Sequence, residues 1–457
     1  MWFGEGLRVN KFLMQTFQRF LCFFLYLVLF GFFFQSWKWR VNIPGANSGD
    51  EPHYLLTLNS IVEDNDYRLE NNYAKKQFGK KFQTLDLDHH TFLFDPNTKK
   101  FFFWEEFHVW DPDSKTWKEK PGSPPTNLET ENWLPTHGIG YPSVLALFLW
   151  PIPIESREDS IAIFQICLLC FAFALITSSK NFFFQFLFLM GIPGFLYAFQ
   201  IYSEGILVSL AIFGVYFWRK DNLGVAIFFF GLMVWVKDIY LVVYGISFAY
   251  YGFLTLFSKD PIPLQKRDLF FLLLSFLPVG GLFFLKWIWF GNPFQSYIPF
   301  VINTDFLGSL YRWFFDSKKG FLVLSPVLVC FGAWIFSKLR FWKENFKTSA
   351  KAYSHFLILL VSVFLIWIVS FCHESWSGGN SFGHRPFVTG MFFLVPYFLA
   401  EFTLPQTKIW KLVLGVFLLA SVLNQFFAFT NLNYSFGTNA YLNLWNGKES
   451  TVWNRFR

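Results

Sequence analysis

Charged residues are scarce in this chain of 457 residues, where Asp, Glu, Lys and Arg together make up 15%. Soluble globular domains usually carry about 25% charged residues, so this composition argues against a soluble protein. The formal net charge of +7 does not indicate nucleic-acid binding, because the basic residues lie in short links between apolar runs. Nucleic acid is therefore excluded as a partner, and membrane lipid is expected as one.

Cysteine is also rare, with five residues in the chain. All five lie within or at the edge of apolar segments, which favours small buried hydrophobic side chains over disulfides. Cys167 and Cys170 have the spacing of a redox or metal pair, but they lie within an apolar run without other ligands. The first apolar run lacks a small-residue cleavage site, which predicts a retained signal-anchor helix.

Hydrophobic residues, by contrast, make up 54% of the chain, and 68 residues are phenylalanine. They cluster in runs close to the ~20 residues that cross a bilayer as a helix. The sequence therefore predicts an all-α polytopic membrane protein with about 11 transmembrane helices. The predicted spans are approximately 20–36, 160–177, 182–199, 203–218, 222–236, 239–257, 269–290, 320–337, 353–372, 385–402 and 409–428.

The positions of lysine and arginine predict the orientation of these spans. Arg8, Lys11 and Arg19 precede the first span, which indicates a cytoplasmic N-terminus. The segment 140–154 is apolar but short and contains three prolines. If it spanned the membrane, the basic links that follow would face outward, so it is predicted to be a re-entrant or interfacial helix. The C-terminus then lies outside.

Four regions follow from this topology. Residues 1–37 are the N-terminal tail and first span, and residues 38–159 form a long extracytoplasmic loop. Residues 160–428 form a bundle of about 10 transmembrane helices, and residues 429–457 an extracytoplasmic tail. The loop is too long to be a passive connector.

The extracytoplasmic loop is predicted to carry structure of its own. Pro52 suits the first turn of a helix whose Leu55, Leu58 and Val62 share one face, and we expect this helix to lie along the membrane surface. Two similar turn sequences, at 95–99 and 111–115, are flanked by β-prone aromatic residues. These patterns predict two small β-hairpins on the outer side.

The same loop begins with the adjacent carboxylates Asp50 and Glu51, which follow Gly49. An Asp before a proline-started helix is a good N-cap, and this role alone would explain it. The alternative is catalysis, because a carboxylate at a dry interface has a raised proton affinity and can act as a general base. In this interpretation Glu51 steers the acceptor or binds a cation.

Other ionisable residues are predicted to lie at the same face, where charges at membrane depth are functional candidates. Glu204 either opens a helix or is a second acidic group of a cavity. Lys237 interrupts an apolar run and either reaches the interface or holds a phosphate. Arg385 ends the glycine-rich link 372–385, whose backbone amides and guanidinium suit a phosphate or pyrophosphate. The alternative for that link is a plain glycine-rich turn.

Metal ligation is weakly indicated. His373, Glu374 and His384 lie in one link, and Asp86, Asp88, His89 and His90 lie in the long loop. Neither set has the ligand spacing of a defined metal site, so no metal ligand is assigned. No cofactor is required by the sequence, although a divalent cation is compatible with it.

Four sequence elements, in order, resemble those of the GT-C class of glycosyltransferases, which includes the protein O-mannosyltransferases and the aminoarabinose transferases of lipid A. The resemblance is closest to a group of largely uncharacterised bacterial members. The elements are the Gly-Asp-Glu-Pro-His-Tyr start at 49–54, His-x-x-Gly-x-Pro at 137–142, a Gly-Leu-x-x-Tyr-Ser-Pro-like element at 320–326 and Trp-x-Gly-Gly-x-Ser-Phe-Gly-x-Arg at 376–385. Leu324 replaces an aromatic residue, and His384 stands where the group often has proline.

The resemblance implies a GT-C-like fold in the bacterial inner membrane with an extracytoplasmic site. Enzymes of this class move a sugar from a polyprenyl-phosphate donor to an acceptor hydroxyl of a glycan, lipid or protein, inverting the anomeric carbon. It implies Asp50 as the base, with Glu51 beside it, and Lys237 and Arg385 as ligands of the donor phosphate. The remaining predicted substrate-binding residues are His53, Tyr54, His137 and Glu204.

Two other functions remain open from the sequence. The first is a secondary transporter or flippase of lipid-linked substrates, for which Lys286, inside the span 269–290, is the most suitable residue. Against it, the spans show no internal repeat, and the polar groups gather at one face rather than at the midplane. The second is a non-catalytic assembly protein whose aromatic loop binds a partner.

Overall fold

A computed structural model describes residues 14–31, 50–69, 72, 92–95, 100–103, 108–111, 116–121, 134–135, 138–153, 157–178, 181–257, 265–294, 303–316, 320–372 and 385–430. The described chain is mostly helical. Its helices are α1 (Met14–Gly31), α2 (Glu51–Asn59), α3 (Gly140–Leu149), α4 (Arg157–Ile176), α5 (Phe182–Met190), α6 (Glu204–Trp218), α7 (Leu223–Val236), α8 (Leu241–Leu256), α9 (Lys266–Phe290), α10 (Phe306–Phe315), α11 (Phe321–Leu324), α12 (Leu328–Arg340), α13 (Trp342–Thr348), α14 (Ala350–Phe371), α15 (Arg385–Met391), α16 (Val395–Glu401) and α17 (Lys408–Thr430).

Three short helical turns extend this set. A π-helical turn at Ser60–Asp64 continues α2, and 3-10 turns at Pro193–Phe199 and Asp238–Tyr240 follow α5 and precede α8. The long loop also contains strands, which are β1 (Phe92–Asp95), β2 (Lys100–Phe103), β3 (His108–Asp111), β4 (Thr116–Glu119) and β5 (Leu134–Pro135). Strand β1 pairs antiparallel with β2 and β5, and β3 pairs antiparallel with β4.

Within the described residues, six helices are long and apolar enough to cross a membrane, and a seventh span exists if the bent pair of α5 and the following 3-10 turn is counted as one. The chain is therefore an integral membrane protein by the length and composition of its helices. The six are α1, α4, α9, α14, α17 and the segment Asp238–Leu256 that contains α8. The predicted number of eleven is not confirmed by the described residues.

When the bent pair is counted as the seventh span, four predicted spans remain, and they form shorter or broken helices. The predicted spans 203–218 and 222–236 correspond to α6 and α7, with 15 and 14 residues. At 1.5 Å per residue these helices are about 22 Å long, less than the ~30 Å hydrocarbon core. The predicted span 320–337 is divided into α11 and α12, and 385–402 into α15 and α16.

The segment predicted as a re-entrant or interfacial helix forms the ten-residue helix α3. A helix of this length extends about 15 Å and cannot cross a bilayer. One side of α3 packs into the protein through the buried Tyr141 and Leu145, whereas Leu147 and Trp150 are exposed. The first predicted span begins earlier than expected, at Met14, and residues 32–49 lie outside the described part.

Helix α2 differs from its prediction in burial. Leu55, Leu58 and Val62 are buried as expected, but so are the polar His53 and Thr57 on the other sides of the helix. A helix lying on a membrane surface would leave one face exposed. Helix α2 instead packs inside the protein against α3, and its first residue, Glu51, is buried.

Helix α6 lies at the centre of the bundle, packed against α4 and α7. Its described side chains are almost all buried, from Glu204 at the first residue to Trp218 at the last. All five cysteines are free thiols, including Cys167 and Cys170 in α4. The centre of the bundle is therefore packed against protein rather than lipid. Charged residues lie at both ends of α6, because Glu204 begins it and Arg219, Lys220 and Asp221 follow it.

Candidate active site

Asp50 immediately precedes α2, at the position predicted for an N-cap. Its side chain makes no capping hydrogen bond to the helix, although its carbonyl oxygen accepts from the backbone N–H of Tyr54 at 3.1 Å. The carboxylate Oδ2 instead forms an ion pair with Nη1 of Arg385. The side chain of Asp50 is thus directed at a cation supplied by a distant part of the chain.

Glu51 has a different contact. Its side chain is fully buried, and Oε1 accepts a hydrogen bond from the backbone N–H of Ile201 at 2.9 Å. Ile201 lies in the turn that leads into α6. Adjacent carboxylates therefore divide their contacts, because Glu51 joins α2 to the start of α6 while Asp50 meets Arg385.

Arg385 is the first residue of α15, and 9% of its surface is exposed. Its guanidinium carbon lies 4.9 Å from the ring centroid of Tyr202, a distance that allows a cation–π contact. Its Nε is buried and has no hydrogen-bond partner within the described part of the chain. An arginine presents five donors, so this guanidinium retains donor capacity after pairing with Asp50.

Glu204 and Lys237 form a second ion pair, with 2.9 Å between Oε1 and Nζ. The carboxylate of Glu204 is 1% exposed, whereas the Lys237 side chain is 32% exposed. The hydroxyl of Ser203 lies 3.2 Å from the other carboxylate oxygen of Glu204. Glu204 is the first residue of α6 and also belongs to a polar cluster, so the two roles considered for it are compatible.

The backbone at Lys237 explains how this side chain reaches Glu204. Helix α7 ends at Val236, and Lys237 has an extended backbone with φ −156° and ψ 116°. This break lies beside α3, because an added Cβ at Gly140 would be 1.7 Å from the carbonyl oxygen of Trp235. Only glycine permits so close an approach of two backbones. The packing of α3 against the end of α7 therefore fixes the backbone position from which the Lys237 side chain extends.

Tyrosines surround these charges. The rings of Tyr54 and Tyr141 meet edge to face at 5.0 Å between centroids, and both are buried. Burial raises the pKa of the Tyr54 hydroxyl, and the charges of Asp50 and Glu204 raise it further. The hydroxyl therefore stays protonated and can donate a hydrogen bond at neutral pH.

The two ion pairs are neighbours, because the Arg385 guanidinium interacts electrostatically with Glu204 as well as with Asp50. We call Asp50, Glu204, Lys237 and Arg385 the ion-pair cluster. His53 is buried on α2, two residues after Glu51, and His137 lies outside the described residues. Tyr141 and Tyr202 were not predicted as site residues. Their positions in the sequence could have indicated them, because Tyr141 lies within the element at 137–142 and Tyr202 lies two residues before Glu204.

An apolar groove of about 490 Å³ lies on another side of α3. It is lined by Ile61, Tyr67, Ser143, Ala146, Leu147, Trp150 and Trp235. Trp235 is two residues from Lys237, so one chain segment contributes to both the groove and the ion-pair cluster. Shape and lining suit an apolar chain rather than a polar ligand.

The described residues contain no group of three or more His, Cys, Asp or Glu side chains that could hold a metal ion. The histidines and carboxylates considered above, at 86–90 and 373–384, lie outside the described part. Chemically, the ion-pair cluster offers a carboxylate that can accept a proton and two cations that can hold an anion.

Comparison with known proteins adds no family: no protein-family model, curated protein or solved structure matches this chain.

Proposed function

We propose that this protein is a membrane glycosyltransferase that moves a sugar from a polyprenyl-phosphate donor to an acceptor hydroxyl with inversion. Asp50 acts as the general base, and Arg385 with Lys237 holds the donor phosphate. The acceptor belongs to a glycan, a lipid or a protein at the extracytoplasmic face of a bacterial inner membrane. The fold proposed for it is GT-C-like.

The ion pair of Asp50 with Arg385 carries this proposal. These residues are 335 positions apart and belong to two of the four elements that resemble GT-C enzymes. The two side chains are in direct contact. A base and a cation at one site suit a reaction in which a proton is removed as an anion departs. Because inversion puts the attacking and leaving oxygens on opposite faces of the anomeric carbon, this pair has to open so that the sugar lies between the two side chains.

The proposed reaction forms one bond at the anomeric carbon and breaks another there. The acceptor oxygen forms a bond to the anomeric carbon and gives its proton to the Asp50 carboxylate. The bond between that carbon and the phosphate oxygen breaks, and the oxygen keeps the electron pair. The charge on the departing polyprenyl phosphate is stabilised by the guanidinium of Arg385 and the ammonium of Lys237.

The contact between Asp50 and Arg385 also sets an order for the proposed reaction. A carboxylate held by a guanidinium is a weak base, because the cation stabilises its ionised form. A donor phosphate can take over the guanidinium, whose Nε is free of hydrogen-bond partners in the described chain, and release Asp50. The donor is therefore expected to bind before the acceptor is activated.

The apolar groove supports the lipid part of the proposal. A polyprenyl donor keeps its tail in the bilayer while its phosphate meets the protein at the interface. The groove beside Trp235 suits the first isoprene units, with Lys237 two residues away for the phosphate. Exposed Leu147 and Trp150 leave its outer side open to lipid.

The test is a transfer assay with the purified full chain in lipid nanodiscs. Donors are polyprenyl phosphates that carry radiolabelled sugars, and glycan, lipid and peptide acceptors are supplied separately. We expect Asp50→Asn to lower the rate about 10²–10⁴-fold, the usual contribution of a general base. Correct insertion is checked by size-exclusion chromatography and thermal unfolding.

Asp221→Asn is the matched control. Asp221 is also a carboxylate in an ion pair, but it lies beyond the far end of α6. Its left-handed backbone, with φ 61°, is tolerated by asparagine. Equal activity of Asp50→Asn and this control would refute the role of Asp50. For the flippase alternative, the protein is reconstituted in vesicles of the same lipid composition as the nanodiscs. Movement of labelled lipid between the leaflets without sugar transfer would favour a flippase, and the lack of both activities would favour an assembly protein.

A further inference from the structure

A third ion pair, between Lys286 and Asp238, lies on the other side of Lys237 and is not used by the proposed reaction. Nζ of Lys286, on α9, lies 2.6 Å from Oδ2 of Asp238. The Lys286 side chain is buried, and Asp238 is partly exposed. An ammonium inside a membrane-spanning helix costs free energy, so the Lys286 side chain is a candidate for a functional role.

The reason follows from the backbone between α7 and the 3-10 turn Asp238–Tyr240. Lys237 is extended there, and successive side chains of an extended backbone point in opposite directions. Lys237 accordingly meets Glu204 at the start of α6, while Asp238 meets Lys286 on α9. Two ion pairs hold one short break from both sides.

Helix α9 is a firm anchor for this arrangement. An added Cβ at Gly231 of α7 would be 2.9 Å from the carbonyl oxygen of Ser275 on α9. One at Gly281 of α9 would be 3.0 Å from the ring of Trp235. The two helices thus touch at backbone distance below the break. Lys286 is four residues, or about 6 Å, from the end of α9, so it reaches Asp238 from a fixed position.

We infer that Lys286 is a positioning residue for Lys237: through Asp238 it fixes the break after α7, so that the Lys237 ammonium lies beside Glu204. This inference rests on the proposed function only in taking Lys237 as a ligand of the donor phosphate. It gives Lys286 a role near the end of a span.

A purely structural role makes a different prediction. If Lys286 served only to neutralise Asp238, removing both charges together would restore the protein. If Lys286 positions Lys237, removing both charges leaves the break without its anchor on α9. The double variant Lys286→Met with Asp238→Asn therefore separates the two roles.

The experiment uses the purified full chain in nanodiscs and four variants: Lys286→Met, that double variant, Lys286→Arg and Lys266→Met. Lys266 is the exposed first residue of α9 and receives the same substitution as a matched control. The first measurement is the rate at which a water-soluble acylating reagent modifies Lys237, followed by peptide mass spectrometry. The second is the affinity for polyprenyl phosphate without a sugar.

We expect Lys286→Met and the double variant to label Lys237 about fivefold faster and to bind polyprenyl phosphate about tenfold more weakly, as loss of a charged hydrogen bond would cause. Lys286→Arg keeps a cation that reaches Asp238 and should match the wild type, as should Lys266→Met.

Unchanged labelling of Lys237 in Lys286→Met, or wild-type labelling in the double variant, would overturn the inference. If Lys286→Met alone fails to fold, the double and arginine variants still decide. Labelling requires no donor, so a wild type that binds no polyprenyl phosphate would count against the proposed function while labelling still tests the position of Lys237.

Discussion

Charged residues lie at both ends of α6, but their solvent exposure differs between the two ends. At the Glu204 end, Glu204 is 1% exposed and Arg385 is nearly as buried. Beyond the Trp218 end, Asp221 pairs with Lys351 at 3.0 Å, and their side chains are 53% and 46% exposed. The partners of Glu204 and Arg385, which are Lys237 and Asp50, are 32% and 25% exposed. One end of α6 therefore has a buried member in each ion pair, whereas both members of the pair at the other end are solvated.

The difference shows where the fold accepts an energetic cost. Taking opposite charges out of water costs several kcal/mol per ion before their attraction is counted, and an apolar pair of the same volume is often as stable. An exposed pair costs little and contributes little. Charges that serve only stability or orientation are expected to resemble Asp221 and Lys351, and the ion-pair cluster does not.

Chain organisation differs between the two ends as well. The ion-pair cluster draws its side chains from the starts of α2, α6 and α15 and from the break after α7. Asp221 and Lys351 come from one short link and the first turn of α14. Convergence of four separate segments on one partly buried group of charges is typical of a site, and a simple interhelical contact does not need it.

Removing Arg385 should give the largest effect. Arg385→Met leaves Asp50 without its cation and takes away the proposed ligand of the donor phosphate. We expect sugar transfer in nanodiscs to fall at least about a hundredfold. The free energy of unfolding should fall by only about 1–3 kcal/mol, because the Asp50 side chain left behind is 25% exposed and can be rehydrated. Arg385→Lys keeps the charge but not the planar fork, so it should recover part of the stability and little transfer. Equal transfer by both variants and the wild type would contradict the role.

The Glu204–Lys237 pair should respond asymmetrically. Lys237→Met leaves a buried carboxylate without its cation, which costs about 3–5 kcal/mol. Glu204→Gln leaves an ammonium that is 32% exposed and can be rehydrated, so we expect a loss nearer 1 kcal/mol. Thermal unfolding of the two variants in the same detergent measures the difference. Equal losses, or a larger loss for Glu204→Gln, would show that burial does not govern this end of α6.

Much of the ion-pair cluster was accessible from the sequence. The distribution of basic residues assigns Asp50, Glu204, Lys237 and Arg385 to one face, and these four side chains form two neighbouring ion pairs. The direct pairing of Asp50 with Arg385 was not predicted, because sequence spacing carries no information on distance across 335 residues. The hydrogen bond of Glu51 to Ile201 was missed for the same reason.

The prediction of eleven spans is not confirmed, and the reason is physical. Hydropathy measures how apolar a segment is, but not whether lipid or protein surrounds it. Helix α6 is apolar because it is buried inside the bundle, and its 15 residues are short for a bilayer. The break between α11 and α12 falls next to Pro326, whose missing N–H interrupts a helix. Helix α2 was placed at the membrane surface from one apolar face, although its polar side chains are buried too.

The smallest effect is expected at the Trp218 end of α6. Asp221→Asn and Lys351→Met each remove one member of an exposed pair, whose contribution to the free energy of unfolding is about 0–1 kcal/mol. Salt should reduce even that contribution, because the Debye length falls from about 10 Å at 0.1 M to about 3 Å at 1 M. Thermal unfolding at both salt concentrations, beside Lys237→Met, measures whether salt separates the two ends. If Asp221→Asn destabilised the protein as much as Lys237→Met, the contrast between buried and solvated charge along α6 would not hold.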